Sequence, residues 1–253
     1  MSRQVDTEKV VRQHLDMEGF FAGYVIRSAK SHPSVEPLRG ESNEKPPSGS
    51  KAGNAAEDLE AIAGEVRQCC KCGLGSTRTH AVPGEGSPTA RIMFVGEAPG
   101  ADEDAQGRPF VGRAGQLLDK IIAACGLKRE DVFIGNILKC RPPGNRDPRE
   151  EEIFNCLPYL QRQIETIGPE VIIALGAHAA RTLLETDKPI GQLRGHFHEY
   201  SVGIGRPPIK LMATYHPAYI LRNYTPETRG RVWEDMKKVL VELGLPVPER
   251  GKG

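Results

Sequence analysis

No run of apolar residues approaches the roughly 20 needed to span a bilayer. The opening stretch, MSRQVDTEKVVRQHLDME, lacks the basic-then-apolar layout of a signal peptide. The expected compartment is therefore the cytoplasm. Excess charge of either sign is also missing. Thirty-four Lys and Arg stand against 33 Asp and Glu, a net charge of +1. That excludes a globally basic nucleic-acid binder and still allows a local basic face. Between Ser28 and Asp58 there is no aromatic residue, and Val35 and Leu38 are the only larger aliphatics. Such a segment cannot bury enough surface to offset its ordering entropy. No internal repeat at a solenoid period is visible.

What is present suits one sizeable domain with an appendage: 253 residues, 38% of them hydrophobic. The chain divides into a short helical extension over 1–27, interrupted by Gly19 and Gly23, a flexible linker over 28–58, a globular domain over 59–245 and a disordered tail over 246–253. Within the domain, ARIMFVGEAPG, DVFIGNILKC, EVIIALG and IKLMATYHP read as buried strands ending in loop chemistry. EDLEAIAGEVRQ, AGQLLDKIIAACG, REEEIFNCLPYLQRQIETI and AHAARTLLE read as helices. Continuous apolar strands alternating with helices predict an α/β fold. Its centre is a single parallel sheet of four strands, flanked by helices on both faces in an αβα sandwich.

Polar residues cluster just past these strands: Glu97 after the first, Asn136 at the end of the second, His216 and Pro217 after the last. Ligands of open parallel sheets bind outside the carboxyl ends of the strands, so these residues are expected to converge on one pocket.

Six cysteines are a puzzle in a cytosolic chain, where stable disulfides are rare. Cys69 and Cys72 form a C-x2-C pair; Cys140 and Cys156 bracket a proline-stiffened loop carrying Arg141, Arg146 and Arg149. A C-x2-C turn can offer two thiolates to one metal and leaves two positions for ligands from elsewhere. Four thiolates suit zinc or an iron–sulfur cluster; the plainer alternative is four buried small hydrophobes. Cys125 reads as core. Cys70 could replace Cys69 in the pair.

The stretch GEAPGADEDAQGRPFVGRAGQLLD, Gly96 to Asp119, places five glycines directly after a strand. Glycines let backbone approach a ligand closely. The stretch lacks the P-loop Gly-Lys-Ser/Thr ending and the G-x-G-x-x-G spacing. Phe110, between Pro109 and Gly112, either anchors the core or offers a stacking platform for a planar ligand. Asn136 interrupts an apolar strand, where a buried amide must hydrogen-bond. It either ties down a loop or reads the edge of a base. In TYHPAYILRN, the residues Tyr219, Ile220, Leu221 and Arg222 form a bulky tip with a positive end, the composition of a wedge that enters a duplex.

With these residues assembled, the chain resembles the family 4, iron–sulfur uracil-DNA glycosylases over about residues 66 to 240. GEAPG, GRPFVGRAGQLLD, NILKCRPPGNRDP and HPAYILR occur in that order, with C-x2-C upstream. The resemblance implies a nucleoid-associated base-excision-repair hydrolase that releases free uracil from DNA and leaves an abasic site. It maps a [4Fe-4S] cluster onto Cys69, Cys72, Cys140 and Cys156, as a structural pin on the arginine-bearing loop. It places Gly96, Glu97, Ala98, Glu103, Phe110, Asn136 and His216 around the flipped uracil. Arg141, Arg146, Tyr219, Leu221 and Arg222 fall on the DNA.

His216 would hydrogen-bond O2 of the leaving base. Ala98 stands where some related glycosylases carry a water-activating Asp or Asn. The general base is therefore sought among Glu97, Glu103, Asp104 and Asn145. No lysine stands out as an imine-forming nucleophile, so no lyase activity is expected. Two alternatives stand beside this reading. One is a covalent uracil-DNA-trapping relative, for which His196 and His198 in IGQLRGHFHEY are the histidines to consider. The other is a non-catalytic iron–sulfur DNA-binding module. A monomer is expected, with the extension before residue 57 free to dock a replication or repair partner.

Overall fold

The computed structural model describes residues 19–21, 23–25, 51–203 and 206–250. In chain order the elements are β1 (Tyr24–Val25), α1 (Lys51–Gln68), β2 (Glu85–Gly86), β3 (Ile92–Gly96), α2 (Ala101–Gln106), α3 (Arg113–Ala124), β4 (Phe133–Asn136) and α4 (Glu150–Ile167). There follow β5 (Val171–Leu175), α5 (Ala177–Leu184), α6 (Ile190–Leu193), β6 (Phe197–Tyr200), β7 (Ile209–Thr214), α7 (Pro217–Arg222), α8 (Pro226–Glu242) and β8 (Glu249–Arg250).

β2, β4, β3, β5, β7 and β6 lie side by side in that order. The four expected strands form the parallel centre, β4-β3-β5-β7. The expectation of four strands is corrected to six, because β2 and β6 add antiparallel edges. Neither edge carries the continuous apolar run that marked the others. β2 is two residues long and not buried, and β6 is FHEY, buried only at Tyr200.

The central strands are apolar on both faces because helices cover both. Ile92 and Phe94 of β3 enter one core layer with Leu117, Leu118 and Ile121 of α3 and Trp233 and Met236 of α8. Met93 and Val95 enter the other, with Val66 of α1, Leu160 and Ile164 of α4 and Leu183 of α5. Each strand thus feeds alternate side chains to opposite layers, the period of two that a pleated strand imposes.

Three boundaries shift. Helix α1 begins at Lys51, inside the segment expected to be linker, and Ala55 is buried. Alanine is the best helix former, so the low aliphatic content there does not prevent a helix. Most of the linker, 28–50, and residues 1–18, 22 and 26–27 of the extension lie outside the described residues. Tyr24–Val25 is strand rather than helix, because it pairs antiparallel with β8, Tyr24 opposite Arg250 and Val25 opposite Glu249. The tail expected to be disordered is therefore ordered as far as residue 250. Val247 packs on the core, and the Tyr24 ring lies 4.1 Å from that of Trp233. No helix among the described residues is long and apolar enough to cross a membrane.

One buried polar cluster anchors the carboxyl end of β7. Asp235 of α8 is fully buried. It accepts from Thr214 Oγ1 at 2.7 Å and from Arg194 Nη2 at 2.8 Å and Nε at 3.2 Å. The end of β7 is thereby tied to the middle of α8, just before Tyr215 and His216. Removing one partner of such a set strands the others without water, at a cost of about 3–5 kcal/mol. Asp235→Ala is expected to lower stability by that amount, read as a fall in the urea unfolding midpoint.

Candidate active site and metal centre

A cavity of about 510 Å³ opens at the carboxyl ends of the parallel strands. Its walls bring together Gly96, Glu97, Ala98, Glu103, Phe110, Asn136, Asn145, Arg146, His216, Tyr219 and Arg222, which are up to 126 positions apart in sequence. The register explains how. Gly96 and Asn136 are the last parallel pair between β3 and β4, so glycine loop and amide meet at one edge. A Cβ on Gly96 would sit 2.4 Å from Asn136 Oδ1 and 2.6 Å from Phe110 Cζ. Glycine is the residue that lets the amide and the ring close on each other.

Phe110 is the core anchor that one reading of the sequence expected. It is 5% exposed and belongs to the core layer beneath α3, and it also faces the cavity. Its φ of +50° is strained for a bulky residue. The turn is clamped from below by Arg129. That guanidinium donates to Phe110 O at 3.2 Å, to Pro109 O and to Asp119 Oδ1 at 2.7 Å. Arg129 is a functional support the sequence did not reveal, because it sits in the polar stretch KRED without a motif of its own.

Asn136 is 2% exposed, and its Oδ1 has no hydrogen-bond partner among the described residues. An unsatisfied buried acceptor costs about 1–3 kcal/mol. The loop-tying reading of this side chain therefore fails at its oxygen, which is left for a ligand donor.

His216 caps α7. Its Nδ1 accepts from Ala218 N at 3.1 Å, which leaves the proton of a neutral ring on Nε2. Burial, with help from the Arg222 cation, lowers its pKa to about 4. The ring is thus a neutral donor at pH 7. It lies 5.7 Å from the Phe110 ring, centroid to centroid.

The carboxylates separate by their hydrogen bonds. Glu103 accepts from Val111 N and Gly112 N, both at 2.9 Å, and from Gly100 N at 3.1 Å, so it holds the glycine loop closed. Asp104 is buried and accepts from Thr79 N at 2.9 Å. Asn145, at φ +54°, accepts from Arg141 Nε at 2.7 Å. Glu97 differs. Burial raises its carboxyl above the usual range, and the nearby Asp147 adds to this while His178 opposes it. His178, in the first turn of α5, lines the cavity. Its Nε2 is 4.0 Å from Glu97 and 3.6 Å from Asp147. Sequence reading missed it, because GAHAA reads as ordinary helix.

Arg146 is fixed by a two-pronged pair to the buried Glu152, at 2.9 and 2.5 Å. Arg222 is exposed and Tyr219 is 39% exposed at the rim, but the tip is smaller than expected. Ile220 is fully buried, and Leu221 is half-buried against the core. The helical turn of α7 points those two inward.

On the α1–α4 side, Cys69, Cys72, Cys140 and Cys156 line one smaller cavity. Cys70 is exposed and outside it, and Cys125 is buried in the opposite layer. Donors are aimed at the sulfurs: Arg78 Nη1 to Cys140 Sγ at 3.0 Å and Lys139 N to Cys156 Sγ at 3.1 Å. Burial raises the Cys140 thiol and pushes Cys156 up to about 11, and the neighbouring thiols add to the shift at both. Four crowded thiols with N–H donors turned on them suit thiolates held by a metal.

Lys139 connects the two sites. Its buried ammonium donates to Asn136 O at 3.0 Å and Gln163 Oε1 at 2.7 Å, and Gln163 Nε2 donates to Pro83 O at 2.8 Å. Burial lowers its pKa to about 8.

Fold and pocket define an α/β protein with a cavity of mixed polar and apolar lining at the carboxyl ends of a parallel sheet. Residues 83–237 match the family model described as the uracil DNA glycosylase superfamily. The chain is 51% identical over 188 residues to a type-4 uracil-DNA glycosylase of Saccharolobus solfataricus, covering 72% of this chain and 85% of that protein. To a type-4 uracil-DNA glycosylase of Thermotoga maritima it is 45% identical, covering 72% and 93%. To a type-5 uracil-DNA glycosylase of Pyrobaculum aerophilum it is 32% identical, covering 64% and 76%. The chain belongs to the uracil-DNA glycosylase superfamily, on its type-4 branch.

The cage makes a separable prediction. Cys69→Ser and Cys140→Ser are expected to lose most bound metal, measured on purified protein by elemental analysis. Cys70→Ser and Cys125→Ser should keep it.

Proposed function

We propose that this chain is a monofunctional uracil-DNA glycosylase, cutting the N1–C1′ bond of a uracil flipped out of DNA. The orphaned Oδ1 of Asn136 carries the reading. It needs a donor from a ligand. Uracil supplies one at N3–H, with O4 beside it for the amide N–H. Cytosine has no hydrogen at N3 and presents a donor at N4, so the same amide opposes it. Phe110 stacks on the base, and the neutral His216 donates Nε2–H to O2.

As the glycosidic bond breaks, its electron pair leaves with the base and negative charge gathers on the uracil ring. A donor placed there lowers the barrier, and losing one such donor typically costs about 10²–10³ in rate. Water then bonds to C1′ of the oxocarbenium-like sugar and gives up a proton. Among the four polar residues considered for that proton, Glu103, Asp104 and Asn145 are committed to protein hydrogen bonds. The Glu97 carboxyl is available, and a carboxylate of raised basicity is the better base.

Cys69, Cys72, Cys140 and Cys156 would hold a [4Fe-4S] cluster, whose contribution here is structural cross-linking without a redox step. Arg141, the fixed Arg146, Tyr219 and Arg222 line the approach for phosphates and the emptied stack. The histidines considered for covalent trapping, His196 and His198, lie outside the cavity. His198 Nε2 is bonded to Leu193 O at 2.7 Å, and His196 stacks beside it.

Single-turnover release of free uracil from a labelled oligonucleotide is the test. Wild type should release it, His216→Ala should fall about 10²–10³-fold, and Asn136→Ala should fall steeply while still binding DNA. Binding without release by wild type would leave a recognition module, and a covalent adduct would mark a trap.

A further inference from the structure

We infer that His178 is a positioning residue for the Glu97 carboxylate, bridging it to Asp147 and keeping it ionised inside the closing pocket. This rests on Glu97 acting as the base. His178 stands on the first turn of α5, which follows β5, while Glu97 follows β3 and Asp147 lies in the loop between the two cage cysteines. One imidazole nitrogen is therefore aimed between two carboxylates, 4.0 Å from one and 3.6 Å from the other. The three ligand atoms lie within 4.8 Å of one another.

The arrangement has opposing electrostatics. Glu97 is partly buried, which favours its neutral form, and a second carboxylate at Asp147 pushes the same way. The His178 imidazole, 4.0 Å from Glu97, works the other way. When DNA covers the cavity, water is excluded and the exchange between these charges strengthens. Without His178, two carboxylates would face each other in a drying pocket and Glu97 would hold its proton. With it, the base stays charged and Asp147 tethers the imidazole. Because Asp147 sits one residue after Arg146, the tether also sets the distance between the base and the loop assigned to phosphates.

The other charged and titratable groups around the cavity are accounted for. Glu103 is closed by three backbone N–H groups, and Arg146 is paired with Glu152. His216 is neutral at pH 7, with Arg222 beyond it at the rim. Tyr215 accepts from Arg231 through its hydroxyl. Among the described residues, none of these groups bonds to Glu97 or His178.

The test is the pH profile of single-turnover uracil release, for the full chain, between pH 4.5 and 8. Loss of activity towards acid should follow protonation of Glu97. His178→Ala and His178→Gln should move that limb upward by about one pH unit, the size expected for removing an opposite charge at this distance. Asp147→Asn should move it downward. His178→Lys, which keeps a cation, should restore the wild-type limb at least in part. A His178→Ala limb that stays in place, with the rate lowered uniformly or unchanged, overturns the positioning role. Glu97→Gln is measured alongside. If it keeps the wild-type rate, the reading of Glu97 as base has failed instead. If it is inactive while the His178 limb does not move, only the role of His178 has failed. Equal urea midpoints across the set exclude misfolding as the source of a shift.

Discussion

The arrangement depends on one close approach, at the end of the ladder between β3 and β4. Gly96 faces Asn136 there, and the absence of a Cβ lets the buried amide and the Phe110 ring occupy the same few ångströms. Everything else at the pocket is placed relative to that contact. Glu103 closes the loop that follows Gly96, and Arg129 holds the turn at Phe110 from the far side. His216 enters from β7, two strands away from β3, at a height set by the parallel register and by the buried Asp235 beneath it. A parallel sheet suits this work because all its strands end on the same side, so short loops from distant sequence reach a common point without long excursions.

Electrostatics divide the site into groups that must stay neutral and groups that must stay charged. His216 is recessed, next to a cation, with its acceptor nitrogen already occupied, and so offers a hydrogen without carrying charge. Glu97 is pushed towards neutrality by burial and has a counter-group close by. Both line one cavity. One cavity therefore holds a neutral hydrogen-bond donor and a carboxyl of raised pKa together.

Much of this was legible in the sequence, for definite reasons. The four parallel strands announced themselves because burial on both faces demands unbroken apolar runs. The pocket residues announced themselves because polar or glycine residues are unusual at strand ends. The four cage cysteines could be paired by spacing, while the choice between Cys69 and Cys70 could not, since it turns on which side of one tight turn each thiol faces. The edge strands were hidden by having one dry face or none. The β1–β8 pairing was hidden because its partners are more than 220 positions apart. His178 and Arg129 were hidden because their roles exist only in contact with Glu97, Asp147 and the Phe110 turn. The acidic residues of GADED were legible as polar but not as structural. That distinction came from counting which lone pairs the backbone had already claimed.

Lys139 gives the molecule a constraint of another sort. Its backbone touches a cage sulfur, while its side chain holds the carbonyl of the base-reading residue and an amide on α4 that in turn holds Pro83. A buried ammonium cannot lose one acceptor and borrow another from solvent. The side chains of Lys139 and Gln163 are thus coupled to each other, while positions 83 and 136 enter through backbone carbonyls. A lineage that replaces the glutamine must find a new acceptor for the lysine in the same step, or give up the lysine as well. Lys139 and Gln163 are accordingly expected to change together or not at all.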